Sequence, residues 1–292
     1  MEFRKLTLDC ISTLRPFFEA NQCRICDCTV GGTFMWRDFH ATKYSVAGGT
    51  LYLKVEYPLP AFAPPRGAEV GRAAYERIRD HFAEMGMPAR LCAVSEPVLE
   101  KILGMYPGSK MWTDRAWSDY LYLSEDIKNL DGRRYSGQRN HINRFMRENP
   151  AWSFERVDAG RVADAGALFR KPSPERGNGT ATYEEAGRKA LEVLDHLGLY
   201  GQIGGILYAN GEVAGVSLGE TVGDTLYVHA ERADTAYHGS YPMLMNQFAR
   251  MFANGGTKFI NREEDDGIEG LRTSKLSYHP TALLEKYVVE LR

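Results

Sequence analysis

Residues 226–280 read LYVHAERADTAYHGSYPMLMNQFARMFANGGTKFINREEDDGIEGLRTSKLSYHP. The opening, 226–230, has the β-branched and aromatic content of a strand, and a polar loop follows it. Gly239 then opens an amphipathic run in which Leu244, Phe248, Met251 and Phe252 fall on one helical face. Asn254-Gly255-Gly256 stops that run, as a helix C-terminus should. Residues 258–261 predict a second strand, which delivers the acidic run Arg262-Glu263-Glu264-Asp265-Asp266. A short helix carrying Leu271 and Lys275 comes next, and Tyr278-His279-Pro280 closes the stretch.

Upstream, apolar runs over 202–208 and 213–218 surround Ala209-Asn210-Gly211-Glu212. Asn-Gly between two such runs is a strong hairpin signal. Gly223-Asp224 makes a second turn into 226–231, which completes a three-stranded meander. Before it lie a strand over 152–156, helices over 159–170 and 184–197, and a polar loop over 171–180. Residues 283–291 supply a last strand. In the first half, a helix over 8–20 precedes an aromatic-rich core segment at 28–40. A hairpin over 44–55, a helix over 68–85, a strand over 90–94, a helix over 96–105 and a strand over 112–123 follow. Strands alternating with helices predict an α/β protein with mixed sheets. Both halves place helices around a meander, so two copies of one fold are expected, over residues 1–125 and 126–292.

The chain has 292 residues, enough for about two domains. A net charge of -2 argues against a globally basic nucleic-acid binder. No apolar run reaches the roughly 20 residues of a membrane-spanning helix. The N-terminus, MEFRKLTLDC, lacks signal-peptide architecture, so a cytoplasmic location is expected. Of five cysteines, Cys23, Cys26 and Cys28 cluster while Cys92 stands alone. A zinc site wants four ligands, usually as two spaced pairs, so no metal is expected. The cluster reads as three small residues in a turn or at a domain edge, reduced in the cytosol.

Residues 131–147, DGRRYSGQRNHINRFMR, predict a basic amphipathic helix with Tyr135, Ile142, Phe145 and Met146 on its apolar face. Arg134, Arg139, Asn140, Asn143 and Arg144 then offer polar groups suited to phosphate oxygens. A charge run of this kind also occurs as a plain solvated face. The helix opening at Gly239-Ser240, with Arg232 at the head of its loop, offers the positive end of a helix dipole to an anion. Glu231, Glu264 and Asp265 are carboxylates that could deprotonate a nucleophile or hold its ammonium group. Lys275 could neutralise an ester or phosphate oxygen. His229 and His279 are candidate bases, although a lone histidine is more often structural.

The strand–loop–helix–strand order of 226–261 resembles the central unit of the GNAT N-acyltransferase superfamily. The segment INREEDDGIEGLRTSKLSYHP resembles the C-terminal signature of the DUF2156 family, related to the catalytic domain of phosphatidylglycerol lysyltransferases. Lys275-Leu276-Ser277-Tyr278-His279-Pro280 fits that family's Lys-x-x-[FY] pattern before a proline. The resemblance implies two tandem GNAT-like domains with the cleft mainly in the second. It implies an acyl- or aminoacyl-transferase whose donor is aminoacyl-tRNA or acyl-coenzyme A and whose acceptor is an amine or hydroxyl, a lipid headgroup among the candidates. No further cofactor is required. Catalytic roles would fall to Glu231, Glu264, Asp265, Lys275 and Tyr278. Arg134, Arg139, Asn140, Asn143, Arg144, Arg232, Gly239 and Ser240 would bind substrate, since a basic stretch after the first unit meets a phosphate-bearing substrate in Fem-type aminoacyltransferases. The loop 232–241 departs from the superfamily's [QR]-x-x-G-x-[GA] pyrophosphate pattern, being longer and holding one glycine. The competing expectation is a non-catalytic module of the same fold that binds a phosphorylated ligand or partner. The sequence leaves the oligomeric state open.

Overall fold

The computed structural model describes residues 1–20, 23–171 and 181–292, the side chains of 181–183 excepted. Of the loop expected over 171–180, all but Lys171 lies outside the described residues. In chain order, β1 (Arg4–Lys5), α1 (Ile11–Ala20) and α2 (Val30–Met35) precede the hairpin β2 (Lys43–Ala47) and β3 (Thr50–Val55). Then come β4 (Ala61–Phe62), α3 (Arg72–Glu84), β5 (Arg90–Ser95), α4 (Glu96–Met105), β6 (Lys110–Thr113) and β7 (Asp119–Leu123). The second half continues with α5 (Ser124–Asn129), α6 (Ser136–Glu148), β8 (Ser153–Arg156), α7 (Val162–Arg170), α8 (Ala181–Asp195) and α9 (Leu197–Tyr200). The meander β9 (Ile203–Ala209), β10 (Glu212–Val222) and β11 (Thr225–Ala233) leads into α10 (Ser240–Phe252) and β12 (Phe259–Asn261). The chain ends with α11 (Glu269–Leu276), β13 (Ala282–Leu284) and β14 (Lys286–Glu290).

These elements form two compact units, each with its own seven-stranded mixed sheet. The first comprises Met1–Asp119, Glu264–Ile268 and Leu284–Arg292; the second comprises Tyr120–Glu263 and Glu269–Leu283. A single cut at 125/126 therefore does not describe them, because two later segments return to the first unit. The sheets share one plan. In the first, β1 to β4 pair antiparallel in sequence, and α3 then carries the chain to β5, parallel to β4. In the second, β8 to β11 pair antiparallel, and α10 carries the chain to β12, parallel to β11. A parallel step requires a crossover of this length, whereas the hairpins β2–β3, β9–β10 and β10–β11 close through two-residue turns. Asn210 and Gly211, both at positive φ (52° and 86°), make the turn between β9 and β10.

The sixth strand of each sheet comes from a distant part of the chain. β14, at the C-terminus, lies antiparallel to β5, while β7 lies antiparallel to β12. This corrects two expectations. The single strand expected over 112–123 is two strands in different sheets, divided where Asp114 caps a turn by accepting from Ala116 N at 2.8 Å. The strand expected over 283–291 divides likewise into β13 and β14. The helix expected over 68–85 starts at Arg72, because Gly71 is extended.

Hydrophobic burial explains where the helices lie. α3 buries Ala74, Tyr75, Ile78 and Phe82 in the first core, against Leu91 and Val94 of β5 and Val289 of β14. α10 buries Met243, Leu244, Phe248 and Phe252 in the second, with Leu207, Leu226, Val228 and Ile260 of the sheet and Ile142 and Phe145 of α6. Each Val, Leu, Ile, Met or Phe among them contributes roughly 1.5–3 kcal/mol of transfer free energy.

Candidate active site of the second unit

α6 and the start of α10 meet at an open cleft of ≈ 290 Å³, whose walls include His141, Arg144, Tyr237, His238 and Ser240. Gly239 makes this approach possible. It sits at φ +83°, and a Cβ there would stand 2.2 Å from the His141 carbonyl oxygen. The loop before it is wound on Asp234, whose carbonyl accepts from Ser240 Oγ at 2.9 Å and Tyr237 N at 3.2 Å. The first turn of α10 is poor in spare backbone donors: Ser240 N bonds Tyr237 O at 3.0 Å, and Pro242 has no N–H. The polar capacity of the cleft lies in Arg144, which also pairs with Glu148 at 2.7 Å, and in His141 and His238.

β11 and β12 pair only from Thr225↔Phe259 to Tyr227↔Asn261, and beyond that they part. At the parting, β11 carries a bulge. Leu218 pairs Ala230 while Gly219 pairs Val228, which leaves His229 as the extra residue. The bulge assigns polar side chains to both faces. Gly215 and Gly219 abut Leu244 and Phe248 of α10, so Ser217 between them faces α10. Its cross-strand partner Glu231 shares that face. Glu220 and Tyr227 pair on the opposite face, where the His229 ring stacks on Tyr227.

On that opposite face His229 is clamped between two carboxylates. Nε2 lies 2.9 Å from Glu220 and Nδ1 lies 2.7 Å from Glu263. Burial opposes the imidazolium, yet the two glutamates carry its pKa up to about 10. Glu263 holds a left-handed backbone, φ 55°, fixed by its own N–H to Asn261 Oδ1 at 2.7 Å. Strain of this kind persists where surrounding contacts over-determine it.

On the α10 face, Arg262 Nη2 reaches Glu231 at 3.3 Å and its guanidinium lies over the Tyr278 ring, 5.1 Å from the centroid. Burial opposes the Arg262 charge, but Glu231 holds its pKa above the ordinary value. Burial likewise raises the phenols of Tyr122 and Tyr278. Lys275 Nζ donates to the carbonyls of Arg262 at 2.5 Å and Glu263 at 3.3 Å, and so clamps the turn that holds both residues.

The expected site residues thus separate by place. Glu231 and Tyr278 meet at Arg262, with Lys275 bonded to its carbonyl. Arg144, Gly239 and Ser240 line the cleft. Asn140 and Asn143 are exposed on α6. Arg134 pairs with Asp126 at 2.8 Å. Arg139 donates to the carbonyls of Leu130 and Gly132, and Arg232 to that of Phe169 at 2.6 Å at the end of α7, so both brace loops. Glu264 and Asp265 do not join Glu231; they belong to the first unit. Asp265, fully buried, pairs with Arg115 at 3.3 Å. Glu220 and Arg262 escaped the sequence reading, because only the strand register brings Glu220 beside His229 and only the turn after β12 aims Arg262 at Glu231.

Glu264 lies in a second polar cluster, within the first unit. Lys286 Nζ stands 2.7 Å from Asp119, 2.8 Å from Asp27, 3.0 Å from Glu264 and 3.2 Å from Cys26 Sγ. Cys26, Asp119 and Glu264 bring their ligand atoms within 4.8 Å of one another, a grouping able to hold a metal ion, and the Lys286 ammonium lies among them. Burial opposes that ammonium, while Asp119 and its neighbours hold its pKa well above the ordinary value. Burial lifts Asp119 to about 7 against the pull of Lys286. Cys23 and Cys28 form a disulfide, which corrects the expectation of three reduced thiols.

The sequence from residue 22 to residue 290 matches the family described as "Phosphatidylglycerol lysyltransferase, C-terminal". The chain belongs to this family. Among solved structures, a conserved protein of Bacteroides thetaiotaomicron is 29% identical, with a TM-score of 0.91 and 100% of both chains covered. L-PGS from Bacillus licheniformis superposes with a TM-score of 0.62 at 13% identity, covering 96% of this chain and 91% of that one. FemX superposes with a TM-score of 0.60 at 11% identity, covering 100% and 98%. This member of the lysyltransferase family thus shares with those structures a fold of two α/β units, each on a mixed sheet. An uncharacterized protein of Mycoplasmoides gallisepticum is 23% identical over 195 residues, and the match spans 60% of this chain and 56% of that protein. Among the described residues no helix is long and apolar enough to cross a membrane.

Proposed function

We propose that this protein is an aminoacyltransferase that moves an aminoacyl group from aminoacyl-tRNA to an amine or hydroxyl acceptor, a lipid headgroup such as that of phosphatidylglycerol being one candidate. The observations that carry this reading are the parting of β11 from β12 and the cleft at the start of α10, joined by the loop that follows β11. The bulged strand β11, which carries Glu231, leads through the loop 234–239 into a helix whose start lies in one cleft with Arg144, His141 and His238. Arg144 suits a phosphodiester through its guanidinium fork. The sparse backbone donors of the first α10 turn suit side-chain recognition of single phosphates better than a pyrophosphate cradle, which favours tRNA over acyl-coenzyme A. Glu231, on the α10 face at the parting, can hold an acceptor ammonium or take its proton as it attacks. Tyr278 supports the Arg262 guanidinium with its ring. A cytoplasmic site of action accords with a tRNA donor.

A thermal-shift titration tests the donor. Charged lysyl-tRNA at a hundredfold excess over its Kd should stabilise the protein by about 2.7 kcal/mol, and uncharged tRNA at the same concentration by less. Arg144→Ala should weaken that response by roughly tenfold in affinity. A shift with acetyl-coenzyme A and none with tRNA would make the donor acyl-coenzyme A. Stabilisation by uncharged tRNA equal to that by charged tRNA would favour a non-catalytic binding module.

A further inference from the structure

Two buried polar atoms beside Glu231 lack a partner. Arg262 Nη1 and Ser217 Oγ have no hydrogen-bond partner among the described residues, and the two residues are 9% and 0% exposed. Buried donors are nearly always satisfied, because leaving one unmade forfeits its full desolvation cost. Both residues belong to one locality. Ser217 is the cross-strand partner of Glu231 on the α10 face, and Arg262 Nη2 is bonded to the same Glu231. The Glu231 carboxylate neutralises the Arg262 charge and fixes one edge of the guanidinium, which leaves the Nη1 edge for something else. A neutralised guanidinium and a hydroxyl are poor partners for a free anion. They suit a neutral oxygen that acquires charge during reaction.

We infer that Arg262 Nη1 and Ser217 Oγ form the site for the carbonyl oxygen of the transferred acyl group, and that they stabilise the oxyanion formed on it. This inference rests on the transferase reading above and names where its acyl group binds. In the step it serves, the lone pair of the acceptor amine or hydroxyl forms a bond to the acyl carbon. The carbonyl π pair moves onto oxygen, which accepts from Arg262 and Ser217. Collapse re-forms the carbonyl and breaks the ester bond to the ribose oxygen. The proton lost by the acceptor ends on that leaving oxygen, so one ester and one amine or alcohol give one amide or ester and one free ribose hydroxyl. Ser217 and Arg262 are binding groups here, since they touch the acyl oxygen.

The test uses Ser217→Ala and Arg262→Lys in the full chain. The first readout is stability. An unpartnered hydroxyl gives up nothing on removal, so the thermal midpoint of Ser217→Ala should equal or exceed that of the wild type. A lower midpoint means the hydroxyl has a structural partner, and overturns the assignment. The second readout is calorimetric binding of 3′-lysylamido-3′-deoxyadenosine, which carries the acyl carbonyl, against 3′-amino-3′-deoxyadenosine, which lacks it. Ser217→Ala should reduce the preference for the acylated probe about fivefold, and Arg262→Lys about tenfold or more. Binding with an unchanged preference removes this assignment and leaves the transferase reading intact. If neither adenosine probe binds the wild type, the tRNA donor fails, and acetyl-coenzyme A against coenzyme A serves as the acylated and bare pair. Binding of neither pair removes the transferase reading and this assignment together.

Discussion

His229 and Lys286 show how a buried cation comes to depend on its carboxylates. His229 is held charged by Glu220 and Glu263, with a folded pKa of about 10 against about 6.5 in an unfolded chain. The stabilisation is therefore complete below pH ~6.5 and lost as pH rises through ~10. Urea denaturation should show stability declining over that window, and His229→Gln should flatten the decline. A wild-type profile that rises across the window would contradict the clamp. Lys286 serves Asp119, Asp27 and Glu264 at once. Removing one member of a buried pair leaves charge uncompensated, so Lys286→Met should cost about 3–5 kcal/mol in urea denaturation. At this scale the sequence was partly readable. Glu231, Tyr278 and Arg144 stand out by type and position, whereas the partnership of Glu264 with Lys286 joins residues far apart in the chain. The bracing roles of Arg139 and Arg232 are equally hidden, because a spare-looking arginine and one bonded to loop carbonyls have the same letter.

Among the elements, α10 was the most legible. Its apolar face, its glycine start and its Asn254-Gly255-Gly256 stop agree with one another, and the helix runs from Ser240 to Phe252. The sequence also marks Gly239, but the reason is tertiary: the His141 carbonyl leaves no room for a Cβ. Gly239→Ala should destabilise by about 1–3 kcal/mol, from left-handed strain together with the displaced α6. It should also lower affinity for charged tRNA. Circular dichroism melts check the first effect and thermal-shift titration the second; an unchanged melt would mean α6 and α10 are looser than described. The meander was readable from Asn210-Gly211. The bulge at His229 was not, since an extra residue in a strand shows only once its neighbour's register is known.

For the whole molecule, two like sheets were foreseeable from the repeated alternation of strands and helices, but the exchange of their sixth strands was not. Periodicity marks a strand without naming its partner. Residues 112–123 and 283–291 each look like one strand, because the first break, residues 114–118, still holds an aromatic residue and the second is the single residue Glu285. The exchange makes the C-terminus structural. Deleting residues 285–292 removes β14 from between β5 and β6, together with Lys286. The truncated chain should lose amide protection throughout the first sheet by hydrogen exchange, and intact protection there would contradict the strand order. The same exchange returns Glu264 and Asp265 to the first unit and leaves Glu263 in the second. Aminoacyl transfer is the activity proposed for this pair of units. The most direct measurement is the fate of radiolabelled lysine on lysyl-tRNA, mixed with the protein and with phosphatidylglycerol vesicles or a soluble primary amine. Label leaving the tRNA for an acceptor, and much more slowly with Arg262→Lys than with wild type, is the predicted result. Label released only at the rate of uncatalysed hydrolysis, whichever acceptor is present, would contradict the claim.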